Sequence, residues 1–156
     1  MLRLERSIDI DRSAEDVFAL ISDPARFPEF FAGITKWDLV SEDSRGLGAE
    51  FRVLMQVGSI EAGGLIRVTD WQEPRTIAWR SQRGVHHHGR WTVKAREDGS
   101  SEVTLELAYD LSGGVVGRLV ERIVGRMIGG NMSATLLAAR RIVVFEEPAT
   151  LPVPAL

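Results

Sequence analysis

The sequence predicts an α+β domain: a curved, seven-stranded antiparallel sheet wrapped around one long C-terminal helix, with two short helices after the first strand. Three observations predict it. Apolar and polar residues alternate with period two in seven separate runs between Leu2 and Leu111. The links between the later runs are short and hold turn residues, which antiparallel neighbours require and parallel ones forbid. After Gly113-Gly114 the apolar period becomes that of a helix and stays so to about Phe145.

The first run places Leu2, Leu4, Ile8 and Ile10 on one face and Arg3, Glu5, Ser7, Asp9 and Asp11 on the other. That is a half-buried strand, with Arg6 interrupting its apolar side. Ser13 then suits a helix N-cap, and Glu15 and Asp16 suit the positive end of the helix it opens. Val17, Phe18, Leu20 and Ile21 form that helix's buried stripe. Asp23-Pro24 starts a second helix, Asp23 as cap and Pro24 at the first position, where no amide hydrogen is needed. Pro28 keeps it short, and Phe27, Phe30 and Phe31 give it apolar weight.

Six strands follow. Trp37 and Leu39 share a face of the first. Phe51, Val53, Met55 and Val57 alternate with Glu50, Arg52 and Gln56. Ile66 and Val68 alternate with Arg67 and Thr69; Ile77 and Trp79 with Ala78 and Arg80. Trp91, Val93 and Ala95 alternate with Arg90, Thr92, Lys94 and Arg96, and Val103, Leu105, Leu107, Tyr109 and Leu111 with Glu102, Thr104, Glu106 and Asp110. Gly46, Gly58, Gly84 and Asp98-Gly99 mark turns, the last being the strongest hairpin signal. In the final helix, Leu119, Val120, Ile123, Val124, Met127, Ile128, Asn131, Met132, Thr135, Leu136, Ala139, Ile142 and Val143 form a wide apolar face. Pro148, Pro152 and Pro154 end regular structure, so residues 1–145 form one domain and 146–156 a flexible tail.

Composition agrees with one globular domain: 156 residues, 44% hydrophobic and 26% charged. A net charge of -3 gives no general attraction for nucleic acid or anionic lipid. The absence of cysteine excludes disulfides, thiolate metal sites and cysteine nucleophiles. No signal peptide or spanning segment is evident, so a cytoplasmic protein without stable membrane insertion is expected. The oligomeric state is left open. The sheet's apolar face must be covered by the helices, and a strongly twisted sheet around a helix makes a cup. Concave apolar surfaces are where small ligands bind.

Three segments carry a family resemblance. They are Ile8-Asp9-Ile10-Asp11-Arg12-Ser13-Ala14-Glu15-Asp16-Val17-Phe18, Asp23-Pro24-Ala25-Arg26-Phe27-Pro28-Glu29-Phe30 and Asp70-Trp71-Gln72-Glu73-Pro74-Arg75-Thr76-Ile77-Ala78-Trp79. Across nearly all of residues 1–145 the chain resembles the START-like, helix-grip superfamily, and within it the polyketide cyclase/dehydrase and lipid-transfer (SRPBCC) group. Many members have tryptophan where Phe30 stands. The resemblance implies a cavity between sheet and long helix. It names no occupant, because related families carry lipids, bind hormones, cyclise polyketides, open aromatic rings or assist other proteins. The chain departs from the Rieske-oxygenase branch, lacking its cysteines and an iron triad.

Candidate ligand-binding residues are His87, Arg6, Trp79, Trp91, Tyr109, Met127, Asn131 and Thr135. His86-His87-His88 contains every histidine of the chain. Adjacent strand residues point to opposite faces, so the run is a poor zinc site; if Trp91 faces inward, so does His87, and His86 and His88 face out. No metal or cofactor is expected. Arg6 is either paired, near an open edge, or facing a polar ligand group. Trp37, Trp79, Trp91 and Tyr109 serve equally as core or as cavity wall; they face in while the arginines face out, so no stacking platform for nucleic acid forms. Met127, Asn131, Met132 and Thr135 lie within about two turns. The interior beside them is expected to be partly open to an aromatic or polycyclic molecule, with Gly129-Gly130 either making room for it or letting the helix approach the sheet; Gly130→Leu would then weaken binding.

The leading functional expectation is noncatalytic binding or carriage of an apolar or aromatic small molecule. One alternative is a polyketide cyclase/aromatase-like enzyme, with His87 as base, Arg6 holding an enolate and Asn131 or Tyr109 orienting a carbonyl. The other is an interaction module with a small or filled cavity, presenting Ile34, Val40, Leu47 and Leu54.

Overall fold

The computed structural model describes residues 1–111 and 114–146, with 114–117 as backbone only. Seven strands form one sheet: β1 (Leu2–Ile10), β2 (Ile34–Leu39), β3 (Glu50–Val57), β4 (Ile60–Gln72), β5 (Thr76–Gly84), β6 (His87–Ala95) and β7 (Ser101–Tyr109). The order is β1-β7-β6-β5-β4-β3-β2 and each pairing is antiparallel. The helices are α1 (Ala14–Ile21), α2 (Phe27–Phe30, after a 3-10 turn at Pro24–Arg26) and α3 (Gly114–Phe145). This is the α+β architecture expected from the alternation and the final helical period. The segment 147–156, expected as a tail, lies outside the described residues. Glu146, also assigned to it, is held by an ion pair with Arg26.

Local signals are realised in the first connection. Ser13 Oγ accepts the Asp16 amide at 3.1 Å, and Asp23 Oδ1 accepts that of Ala25 at 3.1 Å. The Asp98-Gly99 turn is closed by Asp98 Oδ1, which accepts the Ser100 amide at 2.9 Å. β4 is longer than the alternation indicated, because Gly63-Gly64 interrupts its pattern without ending it. At Gly63 a Cβ would collide with the Val53 carbonyl, so only glycine lets β3 and β4 approach there.

The concave face buries Phe51, Val53, Ile66, Val68, Ile77, Trp91, Val93, Val103 and Leu105 against α1, α2 and α3. On α3 the buried side chains are Ile128, Met132, Thr135, Leu136, Ala139 and Val143. The wide apolar face predicted for α3 is thus covered from about Val124 onward but not before it; Leu119, Val120 and Ile123 are 59%, 42% and 54% exposed. Two contacts fix that half. Arg12 donates to the Val143 carbonyl at 3.2 Å and the Val144 carbonyl at 2.7 Å, satisfying carbonyls that a helix end leaves free. Thr135 Oγ1, 2% exposed, accepts the Ala32 amide at 3.0 Å.

Thr135→Val preserves shape and removes that acceptor, so it should cost about 1–3 kcal/mol. Urea unfolding should show a lower midpoint at an unchanged m-value. A midpoint equal to wild type would mean that the amide finds water instead.

Candidate functional site

Between the concave face and α3 lies a cavity of about 290 Å³. β3 and β4 supply Phe51, Val53, Met55, Ile66 and Val68; β5 to β7 supply Ile77, Trp79, His87, Trp91, Leu107 and Tyr109. Phe27, Phe31 and Trp37 close one side, and Val124 and Ile128 of α3 form the roof. Phe31 stacks on Trp37 at 5.7 Å between centroids, and Phe27 meets Trp37 edge-on at 4.4 Å. Such offset and edge contacts suit aromatic rings and present further faces to a ligand. Trp37 Nε1 is a buried side-chain donor with no acceptor among the described residues.

Polar groups are few, and two of them meet. The His87 ring stacks on Tyr109 at 5.2 Å and 17°. His87 Nδ1 lies 2.9 Å from the Val85 carbonyl. A carbonyl only accepts, so Nδ1 carries the proton and Nε2 is the acceptor of the neutral ring. Burial pushes the His87 pKa down; the Val85 bond opposes this and nearby His88 adds to it. Burial alone pushes Tyr109 up to about 12, so its hydroxyl stays protonated at neutral pH.

The residues selected from the sequence divide into two sets. His87, Trp79, Trp91 and Tyr109 line the cavity. His86, in the turn before β6, is exposed, and His88, of opposite parity to His87, borders a groove on the outer face of the sheet. Arg6, Met127, Asn131 and Thr135 are not among the lining residues. Arg6 is on the inward row, opposite Leu105, but β1 is an edge strand, and the guanidinium runs out over Gly129 to solvent. At Gly129 the nearest neighbour is the end of the Arg6 side chain, which a Cβ there would meet at 2.7 Å, and not the backbone of the sheet. Gly130 is exposed, and a Cβ there would meet nothing within 4 Å, so Gly130→Leu would not fill the cavity. The Asn131 amide occupies the space beside Gly33, and Thr135 is committed to Ala32. Met127 is half-buried on the strip of Val120 and Ile123. The helix beside Met132 and Thr135 is packed, each being 2% exposed; the roof over open space is one turn earlier, at Val124 and Ile128. Ile34, expected at a surface, also lines the cavity. From the sequence, Phe27 and Phe31 count only as apolar weight of the short helix and are not among the selected site residues; three phenylalanines so close together are the signal that could have found them.

Residues 1–143 match the family model for polyketide cyclase/dehydrase and lipid transport. A search of curated proteins returned no match. Among solved structures, TTHA0849 from Thermus thermophilus is 17% identical, covers 91% of this chain and 97% of its own, and has a TM-score of 0.78. The Zhui aromatase/cyclase from Streptomyces sp. R1128 is 17% identical with coverages of 91% and 93% and a TM-score of 0.76. A START superfamily protein from Mycobacterium smegmatis is 16% identical with coverages of 90% and 98% and a TM-score of 0.71. At these identities the likeness is one of fold.

The buried imidazole has a readable pH signature. The unfolded chain takes up a proton as pH falls through about 6.5, whereas folded His87 resists it. Its contribution to stability is therefore full above that value and declines as pH falls toward the lower folded pKa. In melting curves between about pH 8 and about pH 5, His87→Gln should lose part of the wild-type decline on the acid side. Parallel curves would place the imidazole in contact with water.

Proposed function

The chain belongs to the polyketide cyclase/dehydrase and lipid transport family, and we propose that it binds and carries a neutral aromatic or polycyclic molecule in the cavity under α3. One observation carries the reading: no Asp, Glu, Lys or Arg is among the described residues that line the cavity. A charged ligand would leave water without a counter-charge, a cost that apolar contact does not recover. A neutral ring system loses nothing comparable and gains the faces of Phe31, Trp37, Trp79 and Trp91. The volume of about 290 Å³ is roughly twice that of a cavity holding one benzene, ~150 Å³, which favours two fused rings or more. His87 Nε2 and the Tyr109 hydroxyl offer one acceptor and one donor, enough to orient a single hydroxyl or carbonyl.

A cyclase-like reaction is supported by one feature, the neutral His87 base beside Tyr109. Of the four groups such chemistry was expected to use, only these two line the cavity; Arg6 and Asn131 do not. Without a cation to hold an enolate, carriage is the better-supported reading. The open volume argues against a filled interaction module.

Competition against Nile red fluorescence at neutral pH tests the reading with two ligands of one skeleton. 2-Naphthol should displace the dye at a concentration at least about tenfold lower than ionised 2-naphthoate, given the cost of burying an unpaired carboxylate. Equal potency, or no dye binding at all, would overturn the proposal.

A further inference from the structure

One end of the cup carries an unusual rim. The β3–β4 hairpin, the β5–β6 turn, the end of β7 and the N-terminal half of α3 meet there, as the strand registers and the contact of Gly125 with Leu2 require. Leu119, Val120 and Ile123 project from α3 with 59%, 42% and 54% of their surface exposed. Val124, one turn after Val120, already lines the cavity. Ile60, at the hairpin tip, lines the same cavity and is 66% exposed. An apolar surface therefore runs from the cavity wall onto the outside of the molecule.

A cationic row borders it. Arg118, Arg122 and Arg126 recur every four residues, so they share one side of α3, and all three are exposed. None of the ion pairs among the described residues engages them. Glu121, on the same turns, lies 3.8 Å from the Met1 amino group. Two exposed acidic residues belong to this rim, Glu61 beside the hairpin tip and Asp110 just after β7.

We propose that this rim docks reversibly on an anionic bilayer surface. Leu119, Val120, Ile123 and Ile60 enter the boundary between headgroups and acyl chains, and the three arginines meet lipid phosphates. A helix with an apolar strip beside a cationic one has the form of an interfacial helix. No described helix is long and apolar enough to cross a membrane, so the contact is peripheral. A second copy is a poorer occupant: a twofold contact through this strip would bring two unpaired arginine rows together. An anionic surface neutralises them. Docked in this way, the cavity opens toward the lipid phase, where an apolar ligand is most soluble; this consequence rests on the cavity being a ligand site, whereas the docking does not.

Flotation with vesicles tests the proposal. The wild-type chain should float with equimolar phosphatidylglycerol and phosphatidylcholine, less so as salt rises, and stay behind with phosphatidylcholine alone. Ile123→Glu should abolish flotation. Replacing Arg122 and Arg126 together by glutamine should weaken partition about thirtyfold, roughly fivefold for each arginine. Both variants alter exposed positions and should keep the wild-type circular dichroism and Nile red affinity in solution. Absence of wild-type flotation, or flotation that neither variant reduces, overturns docking. So does a wild-type dimer by light scattering that Ile123→Glu makes monomeric while vesicles are not bound, which gives the strip to a second copy. Loss of Nile red binding by wild type would instead remove the ligand reading and leave the vesicle result to decide docking.

Discussion

The structure depends on where α3 is held. A single apolar sheet face needs a cover, and the cover is fastened at one end. Arg12 donates to the last carbonyls of α3, and Arg26 joins α2 to Glu146. Thr135 takes the Ala32 amide, and Ala139 packs with no exposed surface. These contacts tie the helix to the segment between β1 and β2. Because Ser101 Oγ also donates to the Arg12 carbonyl at 2.8 Å, the clamp extends past edge strand β1 into its neighbour β7. The opposite half of α3 is held chiefly along β1, where Gly125 and Gly129 receive Leu2 and Arg6. The sheet curves away beneath it, and the space left over is the cavity.

That space is kept open by size as much as by curvature. Ala49, Ala62 and Gly63 stand in the wall where larger side chains would close it. Nearby aromatic rings are braced by one another, Phe27 and Phe31 on Trp37 and Trp37 on Phe51, so they do not fold inward. A rigid apolar wall loses little freedom when a flat ligand enters. Trp37 Nε1 has no acceptor among the described residues, a cost the packing around it must offset.

Strand parity carried most of what the sequence could tell. It orients Trp79, Trp91, Tyr109 and His87 from one another, since side-chain direction in a strand has only two values. Helical periodicity is weaker evidence of the same kind. It identifies the apolar face of α3, but not where along that face the sheet is near or far. Asn131 and Thr135 are on the correct face and over the filled part; Val124 and Ile128 are on it and over the open part. Arg6 shows a related limit. Its parity is right, yet parity does not say that β1 is an edge, and at an edge an inward side chain can still reach water. Strand order depends on long-range pairing, and no local pattern in β1 encodes it.

Charge is distributed to match these shapes. The described lining of the cavity contains no ionised side chain, while arginines without an ion pair among the described residues stand on the outside of the helix that roofs it. An inner arginine would have offered an anionic ligand a partner, but at a desolvation cost borne whenever the cavity was empty. Placed outside, the same charge remains hydrated and acts at a distance of about a Debye length, ~8 Å at physiological ionic strength. On the two proposed readings, the interior discriminates by refusing charge and the exterior attracts by displaying it. Attraction and selection would then fall to different residues of the same helix, Arg118, Arg122 and Arg126 for the first and Val124 and Ile128 for the second. Neither function constrains the C-terminal half, which is free to serve the clamp.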